Sequence, residues 1–274
     1  METISASKLK NIVILILVVV DIFLAVLVIP RAIAANTAER AASRQIEELL
    51  AANEITVLPG VIPGHGAATR DAVLERNTEA QLRVAEYLLG TGLTQSDLGG
   101  GITSYENSRG TVTFRAGGEM TAQLSEPPAG NLSHPEDALR LLEKIGVSVE
   151  KLSRETADGQ VVVTASQSIR GVEVRGSDIT LTYGMDGLQQ VSGRLYLDGS
   201  PDYVATERLT AATAMLAFVN SRDELGYVCA EITEMRVIYL PVSGSDNRLS
   251  PAWLITTDTG SFRVDFASCQ VVQE

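Results

Sequence analysis

Hydrophobic residues are not spread evenly along this chain. They form one unbroken run near the start and then switch to short periodic patterns. The run Asn11 to Ile29, NIVILILVVVDIFLAVLVI, holds 19 residues with a single charge, Asp21. As a helix it would extend about 28 Å, the thickness of a bilayer's hydrocarbon core. It is expected to be a membrane anchor spanning 11–30, with residues 1–10 as a short cytoplasmic tail and the rest of the chain extracytoplasmic. Lys8 and Lys10 before the run and Ala32-Ile33-Ala34 after it also fit a secretory signal peptide. The run is longer than an ordinary signal core, and Pro30 and Arg31 sit badly before a cut, so the uncleaved anchor is preferred. Basic residues nearly balance across the span. The N-terminus is placed inside because the tail is short and the portion after the span is long.

Beyond the anchor, the periodicity becomes that of amphipathic helices and half-buried strands. NTAERAASRQIEELLAAN, 36–53, puts Ala42, Ile46, Leu49 and Leu50 on one face and reads as a stalk helix within 31–54. Residues 55–69 are rich in Gly and Pro and read as a linker that contains His65. DAVLER reads as a strand, and Thr78 with Gln81 forms a capping box for a helix through Leu82, Ala85, Leu88 and Leu89 that stops at Gly90. ITSYEN, TVTFRA and EMTAQL then alternate as a strand meander up to the prolines of SEPPAGN. A second capping box, Ser133 and Glu136, opens a helix through Ala138, Leu141, Leu142 and Ile145. Strand patterns come next at VSVEKL, QVVVTASQ, VEVRGSDITLTY and LQQVSGRLYL. A third helix is expected over about Val204 to Asn220, with Leu209, Ala212, Leu216 and Val219 as its seam, before strands at YVCAEITEMRVIYL, AWLITTD, SFRVDF and QVV.

The pattern predicts an α+β chain. A single N-terminal transmembrane helix is followed by repeated units of one helix plus an antiparallel sheet, each helix lying across its sheet. Residues 70–130 would form a first extracytoplasmic domain and 131–274 a second one made of two such units.

Charge narrows the partners. The chain carries a formal −12, and the four charges of residues 1–30 cancel, so the whole excess lies in the exported part. Such a surface repels phosphate backbones and anionic headgroups, which argues against nucleic acid and against peripheral membrane binding. The two cysteines, Cys229 and Cys269, allow one disulfide or two free thiols, and the sequence does not choose between them.

Asp21 lies near the middle of the span, where a carboxylate costs about 2.5–3.5 kcal/mol. One reading has Asp21 hydrogen-bonding a polar group on another transmembrane helix, with Leu17, Leu24 and Val28 on the same face; the other has a neutral carboxyl carried by its apolar neighbours.

Catalytic signatures are lacking. There is no HExxH, GxSxG or GxxxxGK[ST], and the two histidines, His65 and His134, have no zinc-spaced companions. Ser148 to Lys151 spells S-x-x-K and Ser245 to Asn247 spells S-D-N, but Ser148 comes after a helix-ending glycine and no K-T-G comes later. No enzyme activity, cofactor or metal is expected.

Several segments carry a resemblance. KLKNIVILILVVVDIFLAVLVI, VLERNTEAQLRVAEYLLG, ENSRGTVTFRAGGEM, RVIYLPV and LSPAWLITTDTGSFRVDF together resemble the YycI and YycH family, membrane-anchored regulators of the essential cell-wall sensor kinase of Gram-positive bacteria. In length the chain is more similar to YycI, and its closing strands look like the ends of PepSY-type sheets. The resemblance implies a signalling role in cell-wall homeostasis. The transmembrane helix would associate with a sensor histidine kinase and with a sibling YycH-like regulator, first through Leu17, Asp21, Leu24 and Val28, and the outer domains would bind protein. A binding module for peptide or cell-wall fragments, or a protease inhibitor of PepSY type, is the alternative. The cysteine pair departs from the family pattern.

Overall fold

The computed structural model describes residues 44–63, 70–128, 134–157, 159–197, 201–204, 209–242 and 248–274. The anchor run and the four residues of its proposed contact face lie outside them. Among the described residues no helix is long and apolar enough to cross a membrane.

In chain order the elements are helix α1 (44–52), strands β1 (Thr56–Val57) and β2 (Asp71–Val73), helix α2 (Thr78–Leu89), and strands β3 (Thr94–Gly99), β4 (Ile102–Asn107), β5 (Gly110–Phe114) and β6 (Glu119–Leu124). A 3-10 turn at Pro135–Asp137 leads into α3 (Ala138–Lys144), then β7 (Val149–Ala157), β8 (Gln160–Ile169), β9 (Val172–Gly184), β10 (Gly187–Arg194) and β11 (Asp202–Val204). Helices α4 (Ala211–Asn220) and α5 (Arg222–Leu225) precede β12 (Glu231–Pro241), β13 (Arg248–Thr257), β14 (Ser261–Asp265) and β15 (Val271–Gln273).

All fifteen described strands hydrogen-bond into one mixed sheet. The expectation of repeated, self-contained helix-plus-sheet units of PepSY type is therefore corrected. Strands from different stretches pair with one another: β6 with β10 over five residue pairs, β2 with β13, and β9 in parallel with β12 at Val174 and Tyr239. The physical reason lies in the strand edges. A small unit closed on itself would leave two rows of unpaired backbone groups, and joining the units edge to edge satisfies them.

The sheet has two arms. The first is antiparallel, in the order β3-β4-β5-β6-β10-β9-β8-β7, with α2 and α3 on one face. Asn77 caps α2, its side chain accepting from the Ala80 amide at 2.9 Å, one residue before the predicted box. Val84, Ala85, Leu88 and Leu89 of α2 and Leu141 and Leu142 of α3 are buried against Tyr105, Phe114, Leu181 and Tyr183 of the strands. Strand β3 has no apolar alternation and every one of its residues is exposed, which is why the sequence pattern passed over it.

The second arm is β12-β13-β14-β15, with β2 and β11 paired at the start of β13. Helix α4 covers one face, and Ile46 and Leu50 of α1 pack into the same core. Two expectations fail in α4. The helix begins at Ala211 behind a Thr210 cap, whose hydroxyl accepts from the Thr213 amide, while Asp202–Val204 is a strand. Its buried face is Ala211, Ala214, Met215, Phe218 and Val219, and Leu216, placed in the predicted seam, is exposed. A helix this rich in Ala, Met, Leu, Phe and Val defines no sharp stripe, so packing chose the face.

Three aromatic side chains lock this core. Phe218 stacks on Tyr227 at 4.8 Å between centroids and meets Phe262 edge-on at 5.2 Å. The Tyr227 hydroxyl donates to the Phe218 carbonyl, and burial pushes its pKa up to about 12. Burial does the same to Tyr239, also to about 12. A phenol of the unfolded chain loses its proton near pH 10, whereas these two hold theirs in the fold. Their stabilising effect is complete below pH 10 and is lost as pH rises toward 12. Urea midpoints measured from pH 9 to 11.5 are expected to fall, and Tyr227→Phe should flatten part of that fall. A slope unchanged in the variant would count against the buried phenol as its source.

Candidate binding cleft and ion-pair chain

Opposite the helices, where the two arms meet, lies a cleft of about 870 Å³. One wall comes from β7, β8 and β9, with Lys151, Ser153, Thr164, Ser166 and Asp178. The other comes from β12, β13 and β14, with Leu240, Ser250, Arg263 and Asp265. Strand alternation explains this lining. Residues on β8 and β9 that face the helices are apolar, such as Val163, Ala165, Ile179 and Leu181, so their neighbours in sequence face the cleft and are polar. Leu240 connects the cleft to a small apolar cluster of Ile238, Ala252 and Leu254.

A line of alternating charges runs along the junction. Glu234 meets Arg236 at 2.9 Å, and Arg236 contacts the buried Glu173. Glu173 lies 2.8 Å from Arg175, which lies 3.3 Å from Glu274, and Glu274 lies 3.5 Å from Arg263. Three carboxylates and three guanidiniums thus bind β9, β12 and the β14-β15 end together. Along this line each charge has an opposite partner, and the cleft lining carries both signs, Lys151, Arg175 and Arg263 beside Glu173, Asp178, Asp265 and Glu274, rather than one strong sign.

Behind the wall of β7, β8 and β9, on the side of β8 turned away from the cleft, lies Gln167, which is 1% exposed. Its amide nitrogen donates to the carbonyls of Ser177 at 2.7 Å and Arg194 at 2.6 Å, and its oxygen accepts from the Tyr196 amide at 3.1 Å. The register of β8 against β9 slips between Ala165 and Gln167, and this side chain occupies the slip. A second ionic fastener lies on the far side of β13, where Arg248 Nε sits 2.7 Å from the buried Asp71.

The residues singled out in the sequence are not brought together here. Leu17, Asp21, Leu24 and Val28 lie outside the described residues, as do His65 and the Ser245-Asp246-Asn247 triplet. Cys229 is a buried free thiol, its pKa raised by burial, and Cys269 is an exposed free thiol. His134 stands just before the 3-10 turn and makes no side-chain cap bond. Among the described residues no group of three or more His, Cys, Asp or Glu side chains could hold a metal. Sequence reasoning missed Glu173, Arg175, Arg236 and Gln167. Each sits in a strand pattern where a polar residue is ordinarily a solvated one, and it is the pairing of β9 with β12, the return of the chain end at Glu274 and the bulge between β8 and β9 that bring their partners near.

No family model matches this chain, and no curated protein matches it. Among solved structures, an uncharacterized protein from Eubacterium rectale ATCC 33656 is similar over 80% of this chain and 85% of that one, at 10% identity and a TM-score of 0.43, a likeness too loose to carry an argument.

Proposed function

We propose that this chain is a non-enzymatic, membrane-anchored regulator that acts on a membrane sensor histidine kinase through the helix bearing Asp21, with the extracytoplasmic sheet as its protein-binding body. Asp21 in the middle of the 11–29 apolar run carries the reading. An ionisable side chain at that depth is costly unless another helix supplies a partner, and Leu17, Leu24 and Val28 extend the same face. A sibling regulator bound by the same helix fits the same chemistry. The cleft is consistent with binding: its lining mixes hydroxyls with charges of both signs, which suits recognition of a polypeptide.

The test is a photo-reactive residue in place of Leu17 or Leu24 in the full chain, irradiated in living cells. Capture of a histidine kinase is expected, and Asp21→Leu should remove both the capture and the effect on kinase output. Capture of lipid alone, or kinase output untouched by Asp21→Leu, would overturn the reading. The cleft of about 870 Å³ favours a second reading, an anchored module for a peptide or a cell-wall fragment. That module predicts that the portion from Arg31 onward acts without its anchor.

A further inference from the structure

The first arm ends in two outer strands, and they differ. Strand β3 has six residues, slips register between Asp97 and Gly99, and runs into Gly99, Gly100 and Gly101, all at positive φ. Such a short, bulged edge discourages further pairing. Strand β7 has nine residues, eight of them exposed, and its register with β8 slips once near its start, between Val149 and Lys151, and is then unbroken from Lys151 to Ala157. Among the described residues its other side pairs with no strand. Alternate amides and carbonyls along that side therefore face solvent, ready to bond a further strand.

Charged side chains on an edge usually act to repel a neighbour. Those of β7 are arranged otherwise. Glu150, Lys151, Arg154 and Glu155 sum to zero in a chain of net −12. Laid antiparallel on itself about Ser153, the strand sets Lys151 opposite Glu155 of the second copy and Glu155 opposite its Lys151. Leu152 then faces the aliphatic stem of Arg154. A parallel in-register pairing would instead set each charge against its like. Cross-strand pairs of opposite charge stabilise, and like pairs destabilise.

We propose that two copies of this chain join through β7, antiparallel and centred on Ser153, to make one continuous sheet. The joint also bears on the cleft. Lys151 and Ser153 line it, so the second copy's strand extends that wall and sets the two clefts side by side around a twofold axis. Arg154 keeps its contact with Glu136, at 3.0 Å on the opposite face.

The experiment uses the full chain in membranes, with Cys229→Ser and Cys269→Ser as background and Ser153→Cys as the reporter. Residues directly opposite in an antiparallel pair lie about 4.5–5.5 Å apart at Cα, within reach of a disulfide. Mild oxidation is expected to give a disulfide-linked dimer, and Ser96→Cys on β3 is expected to give none. Lys151→Glu or Glu155→Lys alone should weaken dimerisation about tenfold, since each reverses two symmetry-related pairs. The two reversals together should restore it. Circular dichroism of each variant establishes that the fold is intact. A correctly folded Ser153→Cys chain that stays monomeric, one that crosslinks to a protein of different mass, or a double reversal that fails to recover the dimer would overturn the proposal.

Discussion

Replacing Trp253 with alanine is expected to lower the stability of the folded chain by about 3–5 kcal/mol, the range for deleting a fully buried large aromatic side chain. Trp253 is 0% exposed and sits on β13 among Ile255, Phe262, Val264 and Met215. Its ring stacks on Phe266 at 5.9 Å, and its indole nitrogen donates to the Leu209 carbonyl at 2.9 Å. That bond fixes the chain just before α4, so the deletion both opens a void and frees the entry of the helix that covers the second arm. Total stabilities of domains are about 5–15 kcal/mol, so a loss of this size brings the second arm close to unfolding. Trp253→Phe keeps most of the volume and loses only the hydrogen bond, and about 1–2 kcal/mol is expected. Urea unfolding of the full chain in detergent micelles, monitored by far-ultraviolet circular dichroism, measures both. A loss under about 1 kcal/mol for the alanine variant would mean that the second core does not depend on this side chain.

Gln167→Leu is expected to cost about 3 kcal/mol although it exchanges one side chain for another of similar size, because it strands three backbone groups, the carbonyls of Ser177 and Arg194 and the amide of Tyr196, each worth about 1–3 kcal/mol when buried without a partner and here partly relieved by rearrangement. The loss should be local as well as global. Gln167 occupies the slip between β8 and β9 beside Ser177 and Asp178, so amide exchange on the β9 stretch 174–180 should quicken before the rest of the first arm responds. Gln167→Glu makes a discriminating companion, since a carboxylate accepts from Tyr196 but cannot donate to two carbonyls, and it should destabilise at least as much. If both variants unfold at the parent's urea midpoint, the three-way bond does not hold the slip in place.

Trp253 and Gln167 differ in how far sequence alone reveals them. Trp253 stands out as the one tryptophan in an apolar strand, and its burial agrees with that pattern. Gln167 is one polar residue among several in SQSIRG, and nothing nearby in sequence marks it as buried. The same division holds for the ions. Glu173 and Arg175 read as charges on the solvent face of a strand, yet Glu173 is held by Arg236, 63 residues later, and Arg175 by Glu274, 99 residues later. The contact face proposed around Asp21 rests on the chain's apolar run alone, whereas the cleft and the β7 edge could be found only once the strands were paired.

Local signals settled the elements that local physics governs. The amphipathic run and Gly90 after it delimit α2, with the cap at Asn77 one residue before the box read at Thr78, and the alternation in β8, β9 and β14 reflects one buried face, since side chains on a strand point to opposite sides in turn, whereas β13 is buried on both faces from Pro251 to Ile255. The apolar run at 11–29 and the acidic balance of everything after it are likewise properties of sequence. Only the tertiary structure decided which strand edges meet. Hydrogen bonds between β6 and β10, β2 and β13, and β9 and β12 join residues 65 to 177 positions apart, for example Val174 with Tyr239 and Ala72 with Leu249. Backbone amides and carbonyls are the same in every residue, so the sequence shows that a strand must find a partner without showing which. That choice joined the helix-and-strand stretches into one sheet, formed the cleft where its arms meet, and left β7 as an open edge.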